Sequence, residues 1–228
     1  AVINATAAAV IEAGRKSNKI NKVLAAKNGI LGALKEELID TNLEGKKEIS
    51  KLKYTPGGVF GSCRYKLQDP EKDQSEYQRL MDVFTAHNIG YFLYNGGGDS
   101  QDTANKIVTY TNKKGFPVQC IGIPKTVDND IPFTDNCPGF GSVAKYIAIS
   151  TKEAGLDVAS MAETSTKVFI LEVMGRHAGW IAAAGGLASE KKGDPPHLIL
   201  FPEIPFNKKR MITKVRKTVK DQGYCVIV

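Results

Sequence analysis

YFLYNGGGDSQDTANKIVTYTN, residues 91–112, reads as one strand turning sharply into one helix. The apolar run Tyr91 to Tyr94 has strand length. Asn95, Gly96, Gly97, Gly98, Asp99 and Ser100 break it, and helical spacing resumes over Gln101 to Asn112. The same grammar recurs downstream. Pro117 to Ile123 runs into PKTVDND (124–130), and the turn at Pro138-Gly139-Phe140-Gly141 leads to a helical stretch from Ser142 to Ala154. Val168 to Val173 runs into Met174-Gly175-Arg176, with a small-residue helix from Trp180 to Ala188. His197 to Phe201 runs into Pro202-Glu203, and a basic helix from Asn207 to Gln222 precedes a last strand. Strands alternating with helices predict an α/β fold, a doubly wound, mainly parallel sheet with helices on both faces.

Upstream the pattern is less regular. Ala1 to about Ala13 has helical apolar spacing and stops at Gly14, Lys22 to Ala26 suits a short strand, and Gly29 to Leu38 a turn and a helical stretch. Asn42 to Lys53 reads as a polar surface connection, Tyr54 to Tyr65 as a glycine- and proline-broken loop, and Ser75 to His87 as a helix.

Composition narrows the function classes. At 228 residues, 42% hydrophobic and 24% charged, the chain is an ordinary globular protein able to bury a sizeable core. Its net charge of +7 suits an anionic partner. The clusters Lys208, Lys209, Arg210 and Lys214, Arg216, Lys217, Lys220 suit the solvated face of a late helix, so no nucleic-acid partner is expected. Cys63, Cys120, Cys137 and Cys225 are scattered, with no CxxC, which argues against zinc and for buried thiols in a reducing, cytoplasmic setting. No apolar run of about 18 residues occurs, so no membrane span is expected. The start lacks the basic region of a signal peptide. The chain begins without Met and stops at CVIV inside a strand, so it is expected to be a fragment, incomplete at both ends.

In doubly wound sheets ligands bind beyond the carboxyl ends of the strands, where the polar motifs fall here. Gly96, Gly97 and Gly98 would let backbone approach a phosphate, and the helix opening at Ser100 offers free N–H groups. Asp99 suits a magnesium ion or a plain helix cap. In PKTVDND, Asp128 and Asp130 are two apart and would point the same way on extended backbone. They suit a general base beside a metal- or partner-tuning acid, or an Asx-rich turn. Lys125 brings a compact charge and Thr126 a hydroxyl donor. Arg176 can grip a phosphate through its fork. Glu203 suits a sugar hydroxyl or a turn, and Arg64, in GSCR (61–64), has a loop setting suited to phosphate.

GGGDS at 96–100, PKTVDND at 124–130, MGR at 174–176, PE at 202–203, GSCR at 61–64 and AVINA at 1–5 together resemble the phosphofructokinase family in order and spacing, over essentially the whole chain. The resemblance implies two similar α/β lobes, of which residues 1–228 would be the N-terminal lobe and the start of the second. It also implies a cytoplasmic homo-oligomer that transfers a phosphoryl group, with Mg²⁺, to the 1-hydroxyl of fructose 6-phosphate in glycolysis. By motif, Asp128 is the implied base. Thr126, Val127 and Asp130 flank the transferred group, and Met174, Gly175, Arg176 and Glu203 contact the sugar phosphate. Lys167 stands where relatives place a substrate-binding arginine. Gly96, Gly97, Gly98, Ser100 and Arg64 hold donor phosphate. Asp99 and Lys125 stand where ATP-using relatives have glycine, so the resemblance points to pyrophosphate as donor, with ATP the alternative. A non-catalytic subunit that binds sugar phosphate is the alternative of another class. Gly98 stands where the family commonly has the acid that serves the metal, so the resemblance implies that either Asp99 takes over that role or Asp128 and water hold Mg²⁺.

Overall fold

The computed structural model describes residues 2–228. The chain forms two compact units, Ala1–Lys125 and Thr126–Val228.

In the first unit α1 (Asn4–Lys16) closes where the Ser17 N–H bonds to the Gly14 carbonyl at 3.1 Å. The helix thus runs past Gly14; a Cβ there would sit 2.5 Å from Val23 Cγ2, so Gly14 is a packing glycine. Ala1, with which the helix was expected to begin, lies outside the described residues. β1 (Leu24–Ala26), α2 (Ile30–Lys35) and β2 (Leu38–Asp40) follow, and β1 pairs antiparallel with β2, Ala25 opposite Ile39. The expected connection at 42–53 is instead largely helical. α3 (Lys46–Lys51) lies between two short 3₁₀ turns and buries Ile49 against Ala8 and Ile11. That single apolar anchor in a polar stretch gives too weak a period to be read from sequence.

α4 (Ser75–Ala86) buries Tyr77, Leu80, Met81 and Phe84 at helical spacing. They meet Ile107 and Tyr110 in the main core of the unit. β3 (Tyr91–Gly96), α5 (Gly98–Lys113) and β4 (Gln119–Pro124) make a β-α-β unit. The two strands pair in parallel over six positions, from Tyr91 opposite Gln119 to Gly96 opposite Pro124. Phe92 and Tyr94 pack on the core, while Tyr91 and Leu93 stay exposed.

In the second unit α6 (Phe140–Met161) is longer than its sequence suggested, extending through Gly155. A side chain at Gly155 would strike Pro195 Cγ at 2.5 Å, so this mid-helix glycine serves packing rather than a stop. β5 (Val168–Ile170) and β6 (Cys225–Ile227) pair in parallel. α7 (Trp180–Ala184) continues into a 3₁₀ turn, and α8 (Lys208–Gln222) starts at Asn207, whose side chain accepts from the Arg210 N–H at 2.9 Å. The exposed cations of α8 sit opposite Met211, Val215 and Val219, which pack on Leu198, Cys225 and Ile227. All four cysteines are free thiols, and burial pushes Cys120 up to about 11, which leaves it unreactive. Among the described residues no helix is long and apolar enough to cross a membrane.

The strand expected at 197–201 is reduced to a parallel bridge of Leu198 with Ile227, flanked by Val228 N–H to Leu198 O at 3.1 Å and Leu200 N–H to Val228 O at 2.9 Å. At its start a side chain intervenes. His197 Nδ1 accepts the Val226 N–H at 3.0 Å, while the His197 N–H donates to the Val226 carbonyl at 2.8 Å.

That tie needs a neutral imidazole, and burial holds the His197 pKa below its ordinary 6.5. A histidine depressed in the folded state contributes stability that is complete above the unfolded pKa and is lost as pH falls through the folded one. Thermal unfolding should therefore show a drop in melting temperature between pH 7 and pH 5 that is smaller in His197→Asn, whose amide oxygen can accept without titrating. Equal drops in both proteins would refute the tie.

Candidate active site

The glycine turn sits where the parallel ladder ends. β3 closes at Gly96, and α5 opens two residues later at Gly98, so Asp99 and Ser100 lie in the first helical turn instead of ahead of it. Gly96 is required by space: a Cβ there would lie 2.0 Å from Ser100 Oγ. Gly97 and Gly98 have nothing within 4 Å of where a Cβ would be, which leaves their backbone open to a ligand. The Lys125 N–H donates to the Gly96 carbonyl at 3.0 Å, so the first residue after β4 is held against the glycine turn.

Asp99 is an exposed carboxylate facing Lys66, 3.4 Å from its ammonium, and Lys66 also stands 3.8 Å from Asp102. Lys66 was not legible as a site residue; its only sequence signal is its place two residues after Arg64 in the same loop. Arg64 and Lys125 form no ion pair or side-chain hydrogen bond among the described residues. An unpaired cation, Lys125, held through its N–H next to an open glycine turn and a helix N-terminus, suits a compact anion.

Thr126 to Asp130 opens the second unit as a turn. Asp128 and Asp130 are not on extended backbone, contrary to the spacing argument, because Asn129 between them has φ 59°. Asparagine tolerates this left-handed conformation when its side chain finds local partners. Here Asn129 is buried, its Oδ1 accepting from the Cys137 N–H at 2.8 Å and its Nδ2 donating to the Asp135 carbonyl at 3.3 Å. Asn129 is thus a structural residue hidden between two acids. The Asp128 N–H donates to Thr126 Oγ1 at 3.3 Å, and the carboxylates of Asp128 and Asp130 accept no hydrogen bond among the described residues. Asp128 is half-buried and Asp130 exposed. Val127 packs on the cluster around Ile147 and Ile181 and so carries the turn instead of presenting a polar group.

Met174-Gly175-Arg176 begins four residues beyond the end of β5, on a segment whose Leu171 N–H still bonds to Ile227 O at 2.8 Å. Gly175 has φ 121°, and a Cβ there would lie 2.3 Å from the Ala178 carbonyl oxygen, so only glycine fits. Arg176 and Met174 are exposed. Glu203 Oε1 accepts the Gly179 N–H at 2.7 Å, tying the PE turn to the segment that bears Arg176. The structure therefore brings Glu203 and the MGR turn together. Lys167 does not join them: its ammonium donates to the Ala162 and Glu163 carbonyls at the end of α6.

Among the described residues no three His, Cys, Asp or Glu side chains cluster as a ready-made metal site. Magnesium usually takes one or two carboxylates and completes its shell with water and substrate phosphate, and the unencumbered Asp128 and Asp130 fit that mode better than the Lys66-facing Asp99.

The sequence profile described as phosphofructokinase matches residues 1–228. The chain is 61% identical over 229 residues to the pyrophosphate–fructose 6-phosphate 1-phosphotransferase of Halomonas elongata, an alignment covering 100% of this chain and 55% of that protein. A solved pyrophosphate-dependent phosphofructokinase from Marinobacter aquaeolei superposes with TM-score 0.91 at 65% identity, over 100% of this chain and 56% of the other. One from Nitrosospira multiformis superposes at 0.92 and 61%, with the same coverage. The chain thus spans about half the length of these relatives.

Replacing Asn129 with Ala removes both loop bonds and the tolerance for positive φ at once. It should cost about 1–3 kcal/mol in urea unfolding and speed proteolysis between residues 129 and 137. An unchanged cleavage pattern would show that Asn129 does not hold this turn.

Proposed function

Because this chain belongs to the phosphofructokinase family, we propose that the protein it comes from moves a phosphoryl group from pyrophosphate to the 1-hydroxyl of fructose 6-phosphate. The observation that carries this reading is the bond from the Lys125 N–H to the Gly96 carbonyl. It joins the residue that distinguishes a pyrophosphate-type motif to the glycine turn that would cradle the donor. The similarity to relatives named for this reaction supports it.

On this reading Gly97, Gly98 and Ser100 offer backbone and hydroxyl donors to the donor's phosphates, with Arg64 and Lys125 supplying charge. Asp128 takes the proton of the sugar 1-hydroxyl as that oxygen bonds to the terminal phosphorus. The bridging P–O bond breaks, its electron pair leaves with orthophosphate, and the Lys125 ammonium stabilises that leaving charge. Arg176 grips the 6-phosphate, Met174 and Gly175 shape the sugar subsite, and Glu203 holds a sugar hydroxyl with the carboxylate oxygen that Gly179 leaves free. Thr126 and Asp130 flank the transferred group. Mg²⁺, held by Asp128 and Asp130 through substrate phosphate and water, would neutralise charge on the phosphoryl oxygens. A cytoplasmic homo-oligomer is part of the same reading. Lys167, engaged with α6, would have to leave its carbonyl partners to reach a neighbouring substrate.

A coupled assay on the full-length enzyme should show turnover with pyrophosphate and little with ATP; turnover with ATP alone would overturn the donor assignment. Asp128→Ser should lower kcat by about 10²–10⁴-fold while the KM for fructose 6-phosphate stays within a few-fold, since a general base acts on the transition state and hardly on ground-state binding. Wild-type turnover in that variant would remove Asp128 as the base, and undiminished sugar binding without any turnover in the wild type would favour the non-catalytic alternative.

A further inference from the structure

One side chain next to the glycine turn has no place in the roles above. Gln101, in the first turn of α5, is half-buried, and its amide nitrogen donates to two carbonyls at once, Gly96 O at 3.1 Å and Ile123 O at 3.0 Å. These belong to the last stretch of the two parallel strands, where Gly96 pairs with Pro124. The Gly96 oxygen also receives the Lys125 N–H at 3.0 Å, so it is shared between the side chain of one motif's helix and the backbone of the next motif. The other end of the amide is provided for. A Cβ at Gly122 would lie 2.0 Å from Gln101 Oε1, so β4 carries a glycine where the amide must fit.

We propose that Gln101 is a positioning residue for the donor: its amide locks the glycine turn and Lys125 into one register, so that backbone N–H groups and ammonium meet the same phosphates. The inference rests on the functional reading above and adds to it a residue that touches neither substrate. The chemistry is specific to a primary amide. Both hydrogens are used, on two acceptors that belong to different strands, and neither a carboxylate nor a thioether of the same length can donate them. Loss of the amide leaves the Lys125 N–H bond as the remaining tie at Gly96 O, so the turn tilts about it and that bond opens more often. Displacements of this size matter where donors must converge on a small anion.

The test uses the full-length enzyme with Gln101→Met, Gln101→Glu and Gly122→Ala, the last of which evicts the amide without removing it. Hydrogen exchange should quicken about tenfold at Ser100, Gln101 and Lys125, whose N–H groups are bonded in and around the turn, and stay unchanged elsewhere. The KM for pyrophosphate should rise about tenfold while that for fructose 6-phosphate moves less than about threefold. The double variant Gln101→Met with Gly122→Ala should be no worse than the poorer single one, because both remove the same contact. Unchanged exchange at Ser100, Gln101 and Lys125, or equal losses for both substrates, would overturn the proposal. If Gln101→Met does not fold, the isosteric Gln101→Glu carries the same comparison. Exchange is independent of turnover: a wild-type enzyme inactive with pyrophosphate would sink the functional reading, while the exchange result would still decide whether Gln101 holds the register.

Discussion

The carbonyl oxygen of Gly96 is the point on which the first unit's chemistry turns. It ends β3, accepts the Lys125 N–H, and accepts the Gln101 amide. In a parallel ladder the bonds are evenly spaced and slanted, so the register at one end fixes which residue first escapes the sheet at that end. Here the residue that escapes is Lys125, directly after the pair Gly96–Pro124. Proline at this place is fitting: it lacks a donor, so the ladder must stop and hand its last acceptor to the next residue. A slip of one position would turn every side chain of the strand to the opposite face and remove Lys125 from the glycine turn. The core of Tyr77, Phe84, Ile107 and Tyr110, with Phe92 and Tyr94 packed on it, is what forbids that slip.

The second unit builds its loops differently, with side chains standing in for ladder bonds. His197 accepts from Val226, Asn129 from Cys137, and Glu203 from Gly179. Each is a single polar side chain that satisfies a backbone N–H which would otherwise go unpaired. Asn129 and Glu203 also sit beside or within turns proposed for substrate, so these two turns are stiffened without covering the functional groups. Arg176, Asp128 and Asp130 are left free of ion pairs among the described residues, while the surface pairs elsewhere, such as Lys51 with Glu48, are exposed and of little consequence for stability.

The alternation of strand and helix, the placement of motifs after strands, and the glycine turn were legible because each depends on local pattern: period, chain punctuation and the space only glycine leaves. The α/β class with parallel pairing agrees with that reading. Three features escaped it. The helix at 46–51 hangs on one buried isoleucine, the start of the expected 197–201 strand is taken up by the His197 side chain, and Asp128 and Asp130 do not share one direction on extended backbone because Asn129 sets a left-handed turn between them, in line with the Asx-rich alternative. Lys66 and Gln101 escaped for a further reason. Their partners are 33 and 22 residues away in sequence, and no periodicity or motif encodes a contact at that range.

The local charges near the glycine turn bear on the size of the donor. Asp99 lies in the first turn of α5, where a carboxylate already interacts favourably with the helix N-terminus and so reduces what that end offers to an incoming anion. Lys66 faces Asp99, but both side chains are more than half exposed, and a pair in that setting contributes at most about 1 kcal/mol, so water screens the acid more than its partner does. A long polyphosphate laid along the helix start would meet this carboxylate; a short inorganic donor held by Lys125 and the Gly97–Gly98 backbone need not. On the proposed function a compact phosphate suits this arrangement, with an acid in the first turn of α5 and Lys125 tied through its N–H to the Gly96 carbonyl.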